Sequence, residues 1–103
     1  MKNHYSTLSR LTANVVEFQD ITDDVLIALN ESKILNGIVT IYTQHTTCAI
    51  KINENEMNLM HDMLEFLEKV APQGKDYLHD INPIDGRKNA HSHLKALVLT
   101  ASE

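Results

Sequence analysis

The sequence predicts an α+β fold in which two helices pack on one face of a mixed or antiparallel sheet. Two observations lead to this prediction. Several segments are rich in Val, Ile, Thr and Tyr and alternate in polarity, as half-buried strands do. Two other segments repeat their apolar residues at helical spacing. The predicted order along the 103 residues is strand, helix, strand, strand, helix, loop, strand, within a single domain of residues 1–103.

Four segments are predicted to be extended. Residues 4–16 alternate weakly, and residues 38–45 form the clearest strand pattern, which places His45 at a strand end. Residues 48–52 resume the extended pattern. Residues 93–102 are apolar on both faces toward their end, which predicts either a central buried strand or a short buried helix running into one.

The first predicted helix follows residue 20. Asp20 or Thr22 is the expected N-cap, because a short polar side chain can accept a hydrogen bond from a free N–H of the first turn. Residues 36–37, Asn-Gly, are expected to end the helix, since glycine suits the left-handed position that follows a helix. The apolar stripe of this helix consists of Val25, Leu26 and Leu29.

The second predicted helix has Asn53 as N-cap, with Glu56 three residues later, and runs to about Val70. At 100° per residue its apolar side chains sweep one continuous half-circle. They are Phe66, Leu59, Val70, Met63, Leu67, Met60, Leu64 and Met57. His61 and Asp62 lie at opposite borders of this half-circle, and Asp62 is expected to be half-buried.

Composition excludes several classes of protein. The hydrophobic fraction of 43% and charged fraction of 22% are typical of a globular chain. The net charge is −5 and the longest basic block is Arg87-Lys88, which argues against a nucleic-acid partner. No apolar run approaches the length of a membrane span, and the amino terminus does not resemble a signal peptide. With Cys48 as its single cysteine, the chain is expected to be cytoplasmic.

Residues 77–93 contain half of the six histidines: His79, His91 and His93. If His91 and His93 are extended, their Cα atoms are about 6.6 Å apart on one face, close enough to chelate one ion. A third ligand from His79 or His45 would complete a histidine-only zinc site. A magnesium site is the alternative, built from the carboxylates of Asp62, Asp80 and Asp85. A solvated loop with incidental histidines is the simpler interpretation.

Two further segments are candidates for a site. Residues 44–47, Gln-His-Thr-Thr, end the clearest strand pattern, where side chains commonly point into a site. Asn53 and Glu54 stand at a helix entry, where they either cap the helix or accompany a bound phosphate or carboxylate. Nucleophilic catalysis by Cys48 is the weaker alternative, because its neighbours suggest a small buried hydrophobe.

Four ordered motifs together resemble one family. They are Gln-His-Thr-Thr-Cys-Ala-Ile-Lys-Ile-Asn-Glu-Asn-Glu at 44–56, His-Asp-Met-Leu at 61–64, Tyr-Leu-His-Asp at 77–80 and Ala-His-Ser-His-Leu-Lys-Ala at 90–96. In these motifs the chain resembles the YjbQ-like proteins, also called secondary thiamine-phosphate synthase-type proteins. Members of that family continue through further strands and a Gly-Thr-Trp-Gln segment, so this chain is expected to be short at its C-terminus.

The resemblance implies a cytoplasmic homotrimer whose mixed, barrel-like sheet carries two helices. It also implies a histidine-lined site near the subunit boundary that holds a divalent metal ion, zinc or magnesium, and a small phosphorylated molecule. The implied metal ligands are His45, His79 and His93. The implied catalytic residues are His45, Glu54 and Asp62, with Asp62 orienting an imidazole, and the implied substrate-binding residues are Thr46, Thr47, Asn53, Lys95 and Ser102.

The activity implied by the resemblance is weak thiamine-phosphate synthesis, which couples a pyrimidine pyrophosphate with a thiazole phosphate. The alternatives are a metal-dependent hydrolase and a non-enzymatic module that binds a metal or a small phosphate. His91 has no counterpart in the family's pattern. It is therefore expected to be a bystander, while His79 and His93 reach the site separately.

Overall fold

A computed structural model describes residues 1–82 and 84–99 of the chain. In this described part the regular structure is helical: α1 is Thr22–Ser32, α2 is Met57–Val70, α3 is Leu78–Ile81 and α4 is Ala90–Leu99. The chain divides into two compact units, Met1–Thr40 and Ile41–Glu103. The single-domain prediction stays a prediction.

The predicted α+β class with a mixed, barrel-like sheet is wrong, because residues 1–82 and 84–99 contain no strand. The segments 4–16, 38–45 and 48–52 have non-helical backbone without strand pairing. Alternation of β-branched residues reports a preference for extended backbone. A sheet also needs a second segment to take up each N–H and C=O, and sequence alternation does not specify that partner.

The first unit consists of a non-helical segment followed by α1. Arg10 forms an ion pair with Asp24 of α1, and the side-chain amide of Gln19 donates to the carbonyl oxygen of Leu11 at 2.8 Å. These bonds join the start of the chain to the residues around the helix. They are polar and solvent-exposed, so they contribute little to the stability of this unit.

The ends of α1 differ in detail from the sequence prediction. Asp20 Oδ1 accepts hydrogen bonds from the Thr22 backbone N–H and hydroxyl, at 2.9 and 2.6 Å, although Ile21 occupies the N-cap position. Lys33 adopts the left-handed conformation (φ 57°) and ends the helix. The predicted end at residues 36–37 is therefore four residues too late.

The second unit contains α2, α3 and α4. The N-cap of α2 is Glu56, whose carboxylate accepts the Leu59 N–H, and the predicted Asn53 cap is wrong. The helix ends at Val70, as the sequence predicts, and the backbone N–H of Ala71 closes its last turn on the carbonyl oxygen of Leu67. Pro72 follows, which cannot continue the helical hydrogen bonding.

The burial of α2 follows its predicted apolar half-circle, although few side chains are fully enclosed. Leu67, near the middle of the arc, is 4% exposed, whereas Met57 and Phe66, at its two edges, are exposed. Four neighbours in the arc are half-buried: Leu59, Met60, Met63 and Leu64. The buried apolar residues of the described chain are Leu67, Ala71, Ala90 and Ala96, so the core of the second unit is small.

The buried segment near the end of the chain is a helix. The predicted central strand is wrong, and the helical alternative holds for residues 90–99. Its Leu, Ala and Lys residues have high helix propensity. The first N–H of the helix, that of Ala90, donates to Asp80 Oδ1 at 3.0 Å, which satisfies a group that would otherwise lack a partner.

No helix in the described ranges has the length and apolar character needed to cross a bilayer.

We expect Leu67→Ala to lower the free energy of unfolding by about 2 kcal/mol, because it removes the largest buried side chain of α2 and leaves a cavity. Leu97→Ala is the matched control. Leu97 lies in α4 and is 71% exposed, so its truncation is expected to change stability by less than about 0.5 kcal/mol. Urea denaturation of both variants measures the difference. Equal losses would contradict the burial seen here.

Candidate functional site

A polar cleft of about 440 Å³ lies within the second unit. Its walls come from the segment 44–47, from α3, from the loop between α3 and α4, and from α4. The lining residues are Gln44, His45, Thr46, Thr47, His79, Ile84, Asp85, Arg87, Asn89 and His93. Five predicted site residues therefore share one cleft: His45, Thr46, Thr47, His79 and His93.

The His45 side of the polar cleft is a turn, not a strand end. The backbone N–H of Cys48 donates to the carbonyl oxygen of His45 at 3.1 Å, which closes a four-residue turn. Thr46 and Thr47 are the central residues of that turn, and both are exposed. Their hydroxyl groups can each donate one hydrogen bond to a ligand in the cleft.

The His79 side of the polar cleft is held by hydrogen bonds to the start of α4. His79 Nε2 lies 2.9 Å from Asn89 Oδ1, and the His79 and His93 rings are 5.2 Å apart in an edge-to-face arrangement at 84°. His79 belongs to α3 and His93 to α4. The prediction that 77–93 is an irregular loop is therefore wrong for residues 78–81 and 90–93, which belong to α3 and to the first turn of α4.

The two histidines also line a second, mostly apolar cavity of about 410 Å³. Its other walls are Tyr77, Ala90 and Leu94. The Tyr77 hydroxyl donates to the carbonyl oxygen of Pro72 at 2.8 Å, which fixes this ring. The imidazoles of His79 and His93 thus border an apolar space as well as a polar one.

Arg87 is a cleft residue that the sequence analysis did not select. Its guanidinium bonds the Asp85 carboxylate through Nε, at 2.8 Å, and through Nη2. This pairing lowers the pKa of Asp85 and raises that of Arg87. The available signal was the Asp-Gly turn at 85–86, where Gly86 has a positive φ of 79° and brings Arg87 back toward its partner.

Lys95 lies outside the polar cleft and is 5% exposed. Its Nζ donates to Glu68 Oε2 at 2.9 Å and to His91 Nδ1 at 2.8 Å. The ammonium group therefore joins α4 to α2, in contrast to its predicted contact with substrate phosphate. Because His91 Nδ1 accepts this bond, the neutral ring carries its proton on Nε2, which is 3.4 Å from the Ser92 hydroxyl.

His91 is a buried residue that does not line the polar cleft. It is 2% exposed and one turn before Lys95 on α4. Burial lowers the pKa of its imidazole, and the positive charge of Lys95 lowers it further, while Glu68 and Asp80 act in the opposite direction. The His91-x-His93 chelate is not formed, because on a helix residues two apart do not face each other.

The remaining predicted site residues do not line the cleft. Asp62 is exposed on α2, in contrast to its predicted half-burial. Asn53 and Glu54 are exposed, and the Asn53 amide donates to the sulfur of Met63 at 3.3 Å while its oxygen accepts the Glu54 N–H at 2.8 Å. Ser102 lies outside the described residues.

The fit of a metal ion can be judged from the donors themselves. A separation of 5.2 Å between the His79 and His93 rings lies within the span of two imidazoles that bind one ion through bonds of about 2.1 Å. His79 Nε2 is already bonded to Asn89, however. Across residues 1–82 and 84–99, no three His, Cys, Asp or Glu side chains are grouped closely enough to hold an ion. The predicted metal ligands His45, His79 and His93 stay a prediction.

Comparison with known proteins agrees with the resemblance found in the sequence. The family described as UPF0047 protein YjbQ-like matches residues 6–103. This chain belongs to the YjbQ-like UPF0047 family. An Archaeoglobus fulgidus UPF0047 protein is 49% identical over 92 residues, which cover 89% of this chain and 68% of that protein.

Two further relatives cover nearly the whole chain. A Methanothermobacter thermautotrophicus UPF0047 protein is 41% identical over all of this chain and 69% of its own length. The Escherichia coli O157:H7 UPF0047 protein YjbQ is 30% identical over 95% of this chain and 70% of its own length. No solved structure matches this chain significantly. The family match and these relatives confirm the predicted family.

We expect the free energy of unfolding to fall as the pH decreases below about 6.5, the ordinary pKa of histidine. Since burial lowers the pKa of His91, the unfolded chain binds this proton more tightly than the folded chain does. The contribution of His91 to stability is fully present above the pKa of its imidazole in the unfolded chain. It is lost as the pH falls toward the lower pKa of the same imidazole in the folded chain. Urea denaturation at several pH values measures it.

His91→Gln is expected to flatten this pH dependence, because glutamine does not titrate. His4→Gln is the control, since His4 is an exposed residue of the first unit. It should retain the slope of the wild-type protein. The same slope in His91→Gln as in wild type would show that another group is responsible.

Proposed function

We propose that this YjbQ-like protein binds a small phosphorylated molecule in the polar cleft. The observation that supports the proposal is the convergence of hydroxyl, imidazole and guanidinium groups from four separate segments on one open space. Phosphate oxygens accept hydrogen bonds, and each of these groups can donate them. The cleft is also large enough for a ligand of small-molecule size.

Each wall of the cleft has a distinct part in this proposal. Thr46 and Thr47 offer hydroxyl donors from the turn, and Arg87 offers a guanidinium whose Nη1 group is not used by Asp85. His45 and His93 contribute imidazole nitrogens that donate when they carry a proton. Asp85 is the unfavourable neighbour, because its negative charge repels a phosphate and occupies part of Arg87.

The transferase activity implied by the resemblance would use the same cleft. Coupling a pyrimidine pyrophosphate to a thiazole phosphate releases pyrophosphate, so both the substrates and the product carry the group that the cleft is proposed to bind. Incubation with both substrates, with and without zinc or magnesium, tests for thiamine phosphate. Hydrolysis of a phosphate ester under the same conditions would favour the hydrolase, and binding without turnover would favour a binding module.

We expect Asp85→Asn to tighten binding of pyrophosphate and of thiamine phosphate by roughly threefold to fivefold. The change removes one negative charge from the cleft and frees part of Arg87, while asparagine can still accept the Arg87 backbone N–H that Asp85 Oδ1 accepts at 3.1 Å. A solvent-exposed charge is worth up to about 1 kcal/mol, which sets this range. Isothermal titration calorimetry measures the change, and Arg87→Gln is expected to weaken binding by a similar factor.

Asp62→Asn is the matched control, because it removes one exposed carboxylate from α2, outside the cleft. It should leave the affinity within about twofold of wild type, an allowance for long-range charge that salt screens. Equal tightening by both asparagine variants would mean that net charge, and not the cleft, sets the affinity. Binding that persists in EDTA and weakens in the Arg87 variant would assign the phosphate contact to the chain itself.

We further propose that the protein is a cytoplasmic homotrimer. The resemblance supports the trimer, and the described chain has many exposed apolar side chains that subunit contacts could cover, among them Leu35, Ile38, Tyr42 and Ile52. The exposed thiol of Cys48 fits a compartment where cysteines stay reduced.

Sedimentation-velocity ultracentrifugation is expected to give a species of three times the chain mass of 11.7 kDa. Ile38→Lys and Tyr42→Lys should shift that species toward smaller assemblies, because each places a charge in exposed apolar surface. Lys2→Glu, near the amino terminus, controls for altered net charge. A protein that sediments as a monomer at every concentration would contradict the proposal.

A further inference from the structure

Asn89 contacts both histidines of the cleft through different atoms. Its side-chain oxygen Oδ1 lies 2.9 Å from His79 Nε2, and its backbone carbonyl accepts the His93 N–H at 3.2 Å. Asn89 is the residue immediately before α4, and it is half-buried. Asn89 therefore connects the His79 imidazole of α3 to the first turn of α4, the helix that carries the His93 imidazole.

A second bond strengthens the same connection. Asp80, the neighbour of His79 on α3, accepts the N–H of Ala90, the neighbour of Asn89, at 3.0 Å. Two adjacent residues of α3 thus bond two adjacent residues at the start of α4. This pairing restricts rotation of α3 relative to α4 and keeps the His79 and His93 rings in their edge-to-face contact.

The bond to Asn89 also determines which nitrogen of His79 carries the proton. A side-chain carbonyl oxygen can only accept, so Nε2 of His79 must donate. The neutral ring then has an unprotonated Nδ1. Within residues 1–82 and 84–99, the side-chain hydrogen bond of His79 uses Nε2, and Nδ1 has no hydrogen-bonding partner.

We propose that Asn89 is a positioning residue that fixes His79 in its Nε2–H tautomer, so that a ligand in the polar cleft meets the unprotonated Nδ1. A neutral His79 then accepts a hydrogen bond at this point, from the hydroxyl of a protonated phosphate or from an alcohol or amide N–H on the same molecule. The role of Nδ1 toward a ligand rests on the proposed function, whereas the tautomer itself does not.

The tautomer is measured in the free protein by long-range ¹H–¹⁵N correlation NMR of the imidazoles. Mildly alkaline pH is suitable, because only the neutral form of an imidazole has two tautomers. His79→Gln identifies the resonances. The wild-type His79 is expected to show a pyrrole-type Nε2 and a pyridine-type Nδ1. A proton found on Nδ1 would overturn the proposal without any substitution at Asn89.

Substitution of Asn89 separates a positioning role from a structural one. Asn89→Ala removes the side-chain acceptor but retains the backbone carbonyl that bonds His93, so the His79 nitrogens are expected to shift toward averaged tautomers. Asn89→Asp keeps an oxygen acceptor and should restore the Nε2–H form. Asn58→Ala, an exposed asparagine of α2, is the control and should leave His79 unchanged. Unchanged His79 shifts in Asn89→Ala would overturn the proposal.

The ligand readout is a separate experiment. Asn89→Ala is expected to weaken pyrophosphate binding roughly threefold to tenfold, the value of one neutral hydrogen bond. The affinity of Asn89→Asp for pyrophosphate is measured as well, because this variant should keep the Nε2–H tautomer of His79. If the wild-type protein shows the Nε2–H tautomer yet does not bind pyrophosphate, the proposed function fails while the assignment of Asn89 stands. If the wild-type protein binds pyrophosphate but lacks the Nε2–H tautomer, the assignment of Asn89 fails while the proposed function stands.

Discussion

The ammonium group of Lys95 is held away from water between α4 and α2, and the arrangement of the second unit depends on that constraint. A buried charge is costly unless its hydrogen bonds are satisfied, and Lys95 meets this need with Glu68 on one helix and His91 on its own. Both interactions require the register of α4 that places residues 91 and 95 one turn apart. The same register sets the direction of His93, which lines the polar cleft from a different face of the helix.

This constraint explains why the cleft and the buried network do not share residues. A helix places side chains two apart on different faces, so His91 enters the interior while His93 faces His79. Asn89, just before the same helix, then connects His93 to α3 through backbone and side chain. The start of α4 therefore serves two purposes: packing on one face and construction of the cleft on another.

Local sequence signals predicted the helices α1 and α2 and failed at identifiable points. The end of α2 and the burial of Leu67 follow from apolar periodicity and from Pro72, which are properties of short segments. The strand predicted at 38–45 is not formed, because alternating polarity does not specify the segment with which a strand would pair. Arg87 and Asn89 were missed because an exposed loop arginine or asparagine has no distinguishing pattern until the chain brings it beside another group.

By itself the sequence determined the family, the position of α2 and the segments from which the cleft histidines come, because ordered motifs and helical periodicity are both read along the chain. The tertiary structure decided the rest. In it, residues 90–99 form a helix, and Lys95 is buried outside the polar cleft. His45 lies in the same cleft as His79 and His93. Each of these outcomes depends on contacts between residues distant in sequence, whose energies no local pattern records.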